Sequence, residues 1–327
     1  MPTVKTNSSY FNTASITTLT YTPMSFPGYV ANSCKFWIDA SDSSTTFQES
    51  TGASATTAAV NHGDLVGTIR DKSGNSRHLV AESDTYRVYL NKQNSTGRAV
   101  VGKGENWPTD GIFPRLYVPS STSYFKFMHS TQATIFIICR WNLSTTHPNS
   151  GWVTPMFATT NGGGPGISAT FTSQYGANRI NTDLNTAGSA QYVSRALSGN
   201  NYGYFKNFML FTVRADVNNV TENQRLKTYV NGTNELLGSG SLSPTTANSN
   251  NNLYVGGYSP AAGLSIMDTA EMIIYDALLD DTQKGYVEAY LMSKWLRQDN
   301  KNNTDDYVMS NNLTNLTDDS GNELFWR

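Results

Sequence analysis

The stretch Ala270 to Trp295 sets an apolar, β-prone run directly against a helix start. Glu271 to Leu279 is rich in residues that suit a sheet-core strand. Asp280 can cap a helix, and Gln283 stands three residues on, the spacing of a capping box. Val287, Tyr290, Leu291, Lys294 and Trp295 then recur at helical spacing, so one face can pack on a sheet. The pattern predicts a last strand locked by a closing helix.

The rest of the chain reads as β-structure. Phe36, Ile38 and Ala40 alternate with Lys35, Trp37 and Asp39, as on a strand. Ala133 to Trp141 is nearly continuous in apolar character, which predicts a central strand buried on both faces. It is too short to span a membrane. Arg225 to Thr233 alternates and ends in Asn231-Gly232, a strong hairpin signal. Leu65–Ile69, Tyr124–Met128, Ile167–Thr172, Arg179–Thr182 and Gln191–Ser194 are further predicted strands, and 41–63 is a predicted loop. More than ten short strands and one helix argue for a two-layer sandwich. Charged residues make up 15% of the chain and net charge is -2, with no basic block, which argues against a nucleic-acid footprint.

Three blocks resemble LamG-like, concanavalin A-like jelly-roll modules. Ala270-Glu-Met-Ile-Ile-Tyr275 with the helix ending in Lys294-Trp295 is similar to their closing signature. Phe36-Trp37-Ile38-Asp39-Ala40-Ser41-Asp42 resembles their opening strand. Thr68-Ile69-Arg70-Asp71-Lys72-Ser73-Gly74-Asn75 resembles their Trp-Arg-Asp-Lys-Ser-Gly-Asn turn, with Ile69 in place of the Trp. The resemblance spans roughly residues 33 to 297. It implies an all-β, concanavalin A-like two-sheet jelly roll with one short C-terminal helix. The expected organisation is an extended arm over 1–32, the jelly roll over 33–298 and a polar tail over 299–327. A fold of this kind leaves activity open, since it hosts lectins, adhesion modules, glycosidases and virion proteins.

Candidate chemistry is sparse. A glycosidase of this class needs two carboxylates on one strand face. Asp268 and Glu271 are the nearest pair, and strict strand alternation would point them to opposite faces. His62, His78, His129 and His147 show no metal-ligand spacing. The Gly162–Gly166 loop has no following Lys-Ser/Thr, so it is no phosphate loop. Asp39, Asp42, Asp71 and Asn75 belong to the resembling blocks and are candidate calcium ligands if those blocks are neighbours. The competing expectation is that Asp71 and Asn75 cap the turn while Asp39 pairs with Arg70. Trp107, Trp141, Trp152, Tyr175, Tyr202 and Tyr204 are aromatic candidates for glycan contact. Cys34 and Cys139 are expected as buried free thiols, with a disulfide as the alternative.

No catalytic residue or cofactor emerges, and the expected function is non-enzymatic. One expectation is a virion structural or surface protein, located in the virion. It would contact other capsid subunits through residues 1–30 and 299–327, as a homo-oligomer or within a larger assembly. The alternative is an extracellular or cell-surface carbohydrate-binding module, with surface glycans as partners. A glycoside hydrolase ranks third. The tail ends in Leu324-Phe-Trp-Arg327, an apolar pair that could dock on its own domain or on a neighbour.

Overall fold

The computed structural model describes residues 33–92, 96, 98–102, 114–141, 153–160, 164–172, 179–186, 189–196, 207–257 and 267–296. The arm, the tail and Trp107, Trp152, Tyr175, Tyr202, Tyr204 and His147 lie outside these residues. In chain order the strands are β1 (Cys34–Asp39), β2 (Thr46–Phe47), β3 (Leu65–Val66), β4 (Thr68–Ile69), β5 (Leu79–Ala81) and β6 (Val88–Asn91). There follow β7 (Val100–Gly102), β8 (Leu116–Val118), β9 (Gln132–Trp141), β10 (Val153–Ala158), β11 (Gly166–Thr172) and β12 (Arg179–Thr186). The last are β13 (Ser189–Ala196), β14 (Met209–Asp216), β15 (Leu226–Val230), β16 (Thr233–Leu237), β17 (Leu253–Val255) and β18 (Met267–Tyr275). Two α-helices are described, the single turn α1 (Phe127–Ser130) and the closing α2 (Asp281–Trp295).

The strands form two nine-stranded antiparallel sheets. The first runs β16-β15-β14-β9-β18-β7-β6-β3, and β1 pairs with β18 alongside β7. The second runs β13-β12-β11-β10-β17-β8-β5-β4-β2. Between the sheets lies the main core, with Phe36, Ile38, Ile135, Ile137, Met272 and Ile274 from the first sheet and Leu79, Phe157, Phe171 and Leu184 from the second. The first sheet also has a second apolar layer on its other face. There Trp37, Phe136, Ile138 and Ile273 pack under Val287, Leu291 and Trp295 of α2. This double burial explains why β9 is apolar without alternation. Cys139 faces the inner core and Cys34 the helix side, so a sheet separates the two free thiols.

The closing unit forms as its sequence dictates. Asp280 accepts from the Gln283 backbone at 2.8 Å and Gln283 accepts in return from the Asp280 N–H at 3.2 Å. Fully burying Trp295 on α2 is worth about 3 kcal/mol. The hairpin between β15 and β16 turns on Asn231 (φ 52°) and Gly232 (φ 72°), the left-handed pair that matches strand twist.

Four expectations are corrected. Leu65–Ile69 is not one strand: β3 joins the first sheet and β4 the second, with the chain crossing at Gly67. A Cβ there would lie 2.5 Å from the backbone of Glu49, so only glycine fits the crossing. Tyr124–Met128 is a turn leading into α1, with Phe125 and Met128 driven into the inner core. Tertiary burial there overrides aromatic β-propensity. A short strand, β2, lies inside the expected 41–63 loop. Finally, β18 carries a bulge at Ala270: Thr269 faces Cys139 while Glu271 faces Ile138, the next residue of β9. Asp268, opposite Arg140, therefore shares the helix-side face with Glu271.

Gly102 lets β7 lie close to β18. A Cβ at this position would overlap the Asp268 carboxylate and approach the Met267 carbonyl. Gly102→Ala should destabilise the fold by about 2 kcal/mol or more, read as a drop in urea midpoint at unchanged slope. An unchanged midpoint would show that β7 is free to shift.

Candidate functional site

Charged side chains concentrate where β1 pairs with β18. The register places Asp39 directly opposite Glu271, two like charges at a cross-strand position. Both are buried, at 4% and 0% exposure. Lys294 of α2 resolves the conflict, donating from Nζ to Asp39 Oδ2 and Glu271 Oε2 at 2.7 Å each. Glu271 accepts three further hydrogen bonds, from Trp37 Nε1 at 2.8 Å, Trp295 Nε1 at 2.7 Å and the Tyr290 hydroxyl at 2.9 Å. A carboxylate offers about four acceptor positions, so Glu271 is saturated.

The candidate calcium ligands stand around this cluster. Asp39 also takes Lys72 Nζ at 3.3 Å and the Ser41 N–H at 3.0 Å and hydroxyl at 2.7 Å. Lys72 reaches Asp42 at 2.6 Å and lies 4.4 Å from the Trp37 ring centre. Asp71 caps the 71–77 turn. It accepts from the backbone N–H groups of Trp37, Ser73 and Arg77 at 2.9 to 3.0 Å and from the Ser73 hydroxyl at 2.8 Å. Asn75 donates to the carbonyl oxygens of Cys34 and Lys35 at 3.0 and 3.4 Å. The blocks are neighbours, as the resemblance implies, yet two ammonium groups and a ring of N–H donors fill the space between them. Among the described residues no group of three or more His, Cys, Asp or Glu could hold a metal ion. The expected Asp39–Arg70 pair is replaced. Arg70 donates to the carbonyls of Ala53 and Ala55 and lies over the Phe47 ring.

The electrostatics follow from this crowding. Burial alone would raise the Asp39 carboxyl, but Lys294 and Lys72 outweigh it and hold it below its ordinary 3.8. For Glu271, burial prevails and Asp39 adds to it, so its carboxyl is pushed up despite Lys294 and Trp295. Burial and then Glu271 push the Tyr290 phenol far up, which keeps it a donor. Asp268 is likewise consumed, taking the Arg140 guanidinium at 2.7 and 2.8 Å. Although the bulge brings Asp268 and Glu271 to one face, each is committed to a cationic partner and neither is offered to a substrate.

The outer face of the second sheet is organised differently. Cross-strand register aligns Tyr192, Asp183, Ser168, Ala158, Tyr254 and Tyr117 in one row across five neighbouring strands and β8. The alternate residues Val193, Leu184, Ile167 and Phe157 fill the inner core, so this row faces outward. Tyr117 and Tyr254 stack at 5.5 Å between ring centres, and Tyr254 is fixed by donating to Glu82 at 2.8 Å. Glu82 is held in turn by Arg115 at 2.6 Å. At the other end Tyr192 is 50% exposed. Ser168 and Ala158 lie between the aromatics at 2% exposure each, and Tyr254 is 5% exposed. With strands about 4.8 Å apart, the trough from Tyr192 to Tyr254 spans about 19 Å.

Two polar groups on this face are incompletely paired. Burial raises the Asp183 carboxyl above its ordinary 3.8, and a hydrogen bond from Ser168 offsets this only in part. No described lysine or arginine side chain forms an ion pair with it. Two residues along the same face of β12, the side-chain oxygen of Asn181 is buried with no hydrogen-bond partner. Buried acceptors without donors cost folding free energy, and other unpartnered buried side-chain atoms, such as those of Thr154, Thr182 and Thr228, are spread over both sheets. Of the aromatics expected from the sequence, Trp107, Trp152, Tyr175, Tyr202 and Tyr204 lie outside the described residues, and this face is made of other side chains. Its signal was the alternation Asn181-Thr-Asp183-Leu-Asn185, which sets three polar side chains on one side of a strand.

The charged cluster carries its own tests. Glu271→Ala should cost about 3 to 5 kcal/mol, because Lys294, two indoles and Tyr290 lose their shared acceptor in a buried place. The Asp39 and Asp42 carboxyls sit below 3.8 in the folded state, so their contribution is in place above about pH 4 and is lost as pH falls through the lowered values. Asp39→Asn should therefore lower the Tm at pH 7 and flatten its fall between about pH 4 and 2. Equal acid slopes in both proteins would remove Asp39 from the account.

No family model matches the chain, and no curated protein matches it in sequence. Among solved structures it is similar to the CBM40 of Ruminococcus gnavus IT-sialidase bound to alpha2,3 sialyllactose, at 15% identity and a TM-score of 0.37. That match covers 52% of this chain and 90% of the other. It is similar to the binding domain of Paraclostridial Mosquitocidal Protein 1, at 13% identity and 0.49, over 80% of this chain and 52% of that one. It is also similar to the Botulinum neurotoxin type G receptor binding domain, at 12% and 0.46, over 79% and 51%. The chain spans about half the length of these two toxin domains. These likenesses concern architecture alone. What the two sheets establish is an antiparallel β-sandwich closed by one C-terminal helix.

Proposed function

We propose that this chain is a non-catalytic carbohydrate-binding β-sandwich that contacts glycans through the outer face of its second sheet. The observation that carries the reading is the trough. It sets the half-exposed ring of Tyr192 directly opposite the partly buried Asp183, with Asn181 two residues along the same face of β12. Sugar rings present apolar C–H faces that lie on aromatic rings, and hydroxyl groups that donate to carboxylates and amides. The committed state of Asp39, Asp268 and Glu271 supports binding over bond cleavage, because hydrolysis needs a free acid and a free base or nucleophile. A cell-surface or extracellular site of action follows from this reading. The virion and capsid reading, and calcium at Asp39, Asp42, Asp71 and Asn75, gain no support from a described contact.

A glycan array followed by calorimetry tests the proposal. Tyr192→Ala should weaken binding about tenfold while leaving the Tm within a degree or two, since the ring is half exposed. Binding that is unaffected by Tyr192→Ala would place the site elsewhere.

Asp183 adds a stability signature. A carboxyl raised in the folded state binds its proton more tightly folded than unfolded, so it weakens the fold above that raised value and the loss is recovered as pH falls toward 3.8. Asp183→Asn should thus raise the Tm at pH 7 while reducing glycan affinity, with the gain vanishing near pH 4. A lower Tm at pH 7 would mark Asp183 as a structural group.

A further inference from the structure

The pair formed by Asp39 and Lys294 holds the parts of a covalent bond as well as those of an ion pair. We propose that it is a site of self-modification, where carboxylate and ammonium condense to an amide that ties β1 to α2. Lys294 Nζ stands 2.7 Å from Asp39 Oδ2 and 2.7 Å from Glu271 Oε2. A nitrogen hydrogen-bonded to a carboxylate oxygen is already close to the attack distance of about 3 to 3.5 Å from its carbon. The two oxygens of Asp39 are held differently. Oδ1 accepts from the Ser41 N–H at 3.0 Å and the Ser41 hydroxyl at 2.7 Å, whereas Oδ2 faces Lys294 and Lys72. Two donors on Oδ1 can carry its charge in a tetrahedral state, so Oδ1 is the oxygen that stays and Oδ2 the one that leaves.

The step balances without a co-reactant. One ammonium proton passes along its hydrogen bond to Oδ2. The freed lone pair of Nζ attacks Cγ, and the carbonyl electron pair moves onto Oδ1. Glu271 takes a second proton from Nζ and returns it to Oδ2. Burial pushes the Glu271 carboxyl up, which suits it to hold that proton. The Cγ–Oδ2 bond then breaks, its electrons leave with the oxygen as water, and the carbonyl reforms on Oδ1. Trp37, Tyr290 and Trp295 enclose the three groups and the Lys294 side chain is 14% exposed, so bulk water has little access to reverse the condensation. Lys294 and Lys72 hold the Asp39 carboxyl low despite its burial, so the ion pair is the reactant and the step is slow.

Mass spectrometry of the full chain tests this without any ligand. After incubation in the folded state at pH 7, the protein should become lighter than its sequence by one water molecule. A tryptic digest should then yield the peptides of Asp39 and Lys294 joined, with no cut after Lys294. Lys294→Arg keeps a cation between the carboxylates but has no amine to acylate, and it should keep its sequence mass. Glu271→Gln should slow bond formation at least about tenfold. Where that variant does not fold, the wild type and Lys294→Arg carry the test. The wild type incubated in urea should also keep its sequence mass, because unfolding separates two residues that lie 255 positions apart. A folded wild type that stays at its sequence mass for several days overturns the proposal and leaves the ion pair as described. Loss of water in Lys294→Arg or in urea overturns it too, as does an undiminished rate in Glu271→Gln.

Discussion

The fold depends on one ammonium group placed between two carboxylates. Pairing β1 with β18 sets Asp39 opposite Glu271 in a buried place, an arrangement that opposes itself unless a cation lies between. That cation comes from α2, since Lys294 reaches both at 2.7 Å. The first strand, the last strand and the closing helix are therefore stable only together. A buried ion pair is a poor source of net stability, because desolvation cancels much of the attraction. Its effect here is specificity. A register slip of one residue in β1 would turn Asp39 toward the inner core and leave Lys294 facing Glu271 alone. Burial of Trp295 and Trp37 supplies the apolar driving force, and their indole N–H groups complete the Glu271 shell in the same step.

Covering the first sheet with α2 decides where function can reside. The centre of that sheet is buried on both faces, by the inner core and by the helix layer. The second sheet has its inner face in the core and carries the row from Tyr192 to Tyr117 on the other. The Ala270 bulge belongs to the same division. It turns Asp268 to the helix side, where Arg140 neutralises it and Gly102 leaves it room. Acidic groups that might have formed a catalytic pair are in this way absorbed into the scaffold.

Much of this was legible in the sequence, and the failures have physical causes. The closing helix was readable because its cap, its apolar face and its Lys-Trp end are local signals. The continuous apolar run of β9 announced two buried faces, and Asn231-Gly232 announced the hairpin. Asp39 was assigned to Arg70 because only nearby residues are visible along the chain, whereas its partner Lys294 lies 255 residues away. The bulge at Ala270 was hidden because nothing in Asp268-Thr-Ala-Glu271 departs from a regular strand. The crossing at Gly67 carries a glycine signal, but only the approach of the Glu49 backbone gives it meaning. For the trough, the polar alternation on β12 could be read. Its alignment with Tyr192, Tyr254 and Tyr117 could not, because register is a property of paired strands.

The buried carboxyls thus fall into two kinds, and the contrast separates scaffold from site. Glu271, more deeply buried than Asp183, accepts four hydrogen bonds, one from an ammonium, so its acceptor positions are filled inside the molecule. Asp183 has a single serine hydroxyl, and the amide oxygen beside it has no partner. Selection for stability alone would favour apolar or paired side chains at both positions of β12, since an unfilled acceptor is a standing penalty. Under the proposed glycan-binding reading, sugar hydroxyls would supply the donors that this face of β12 lacks.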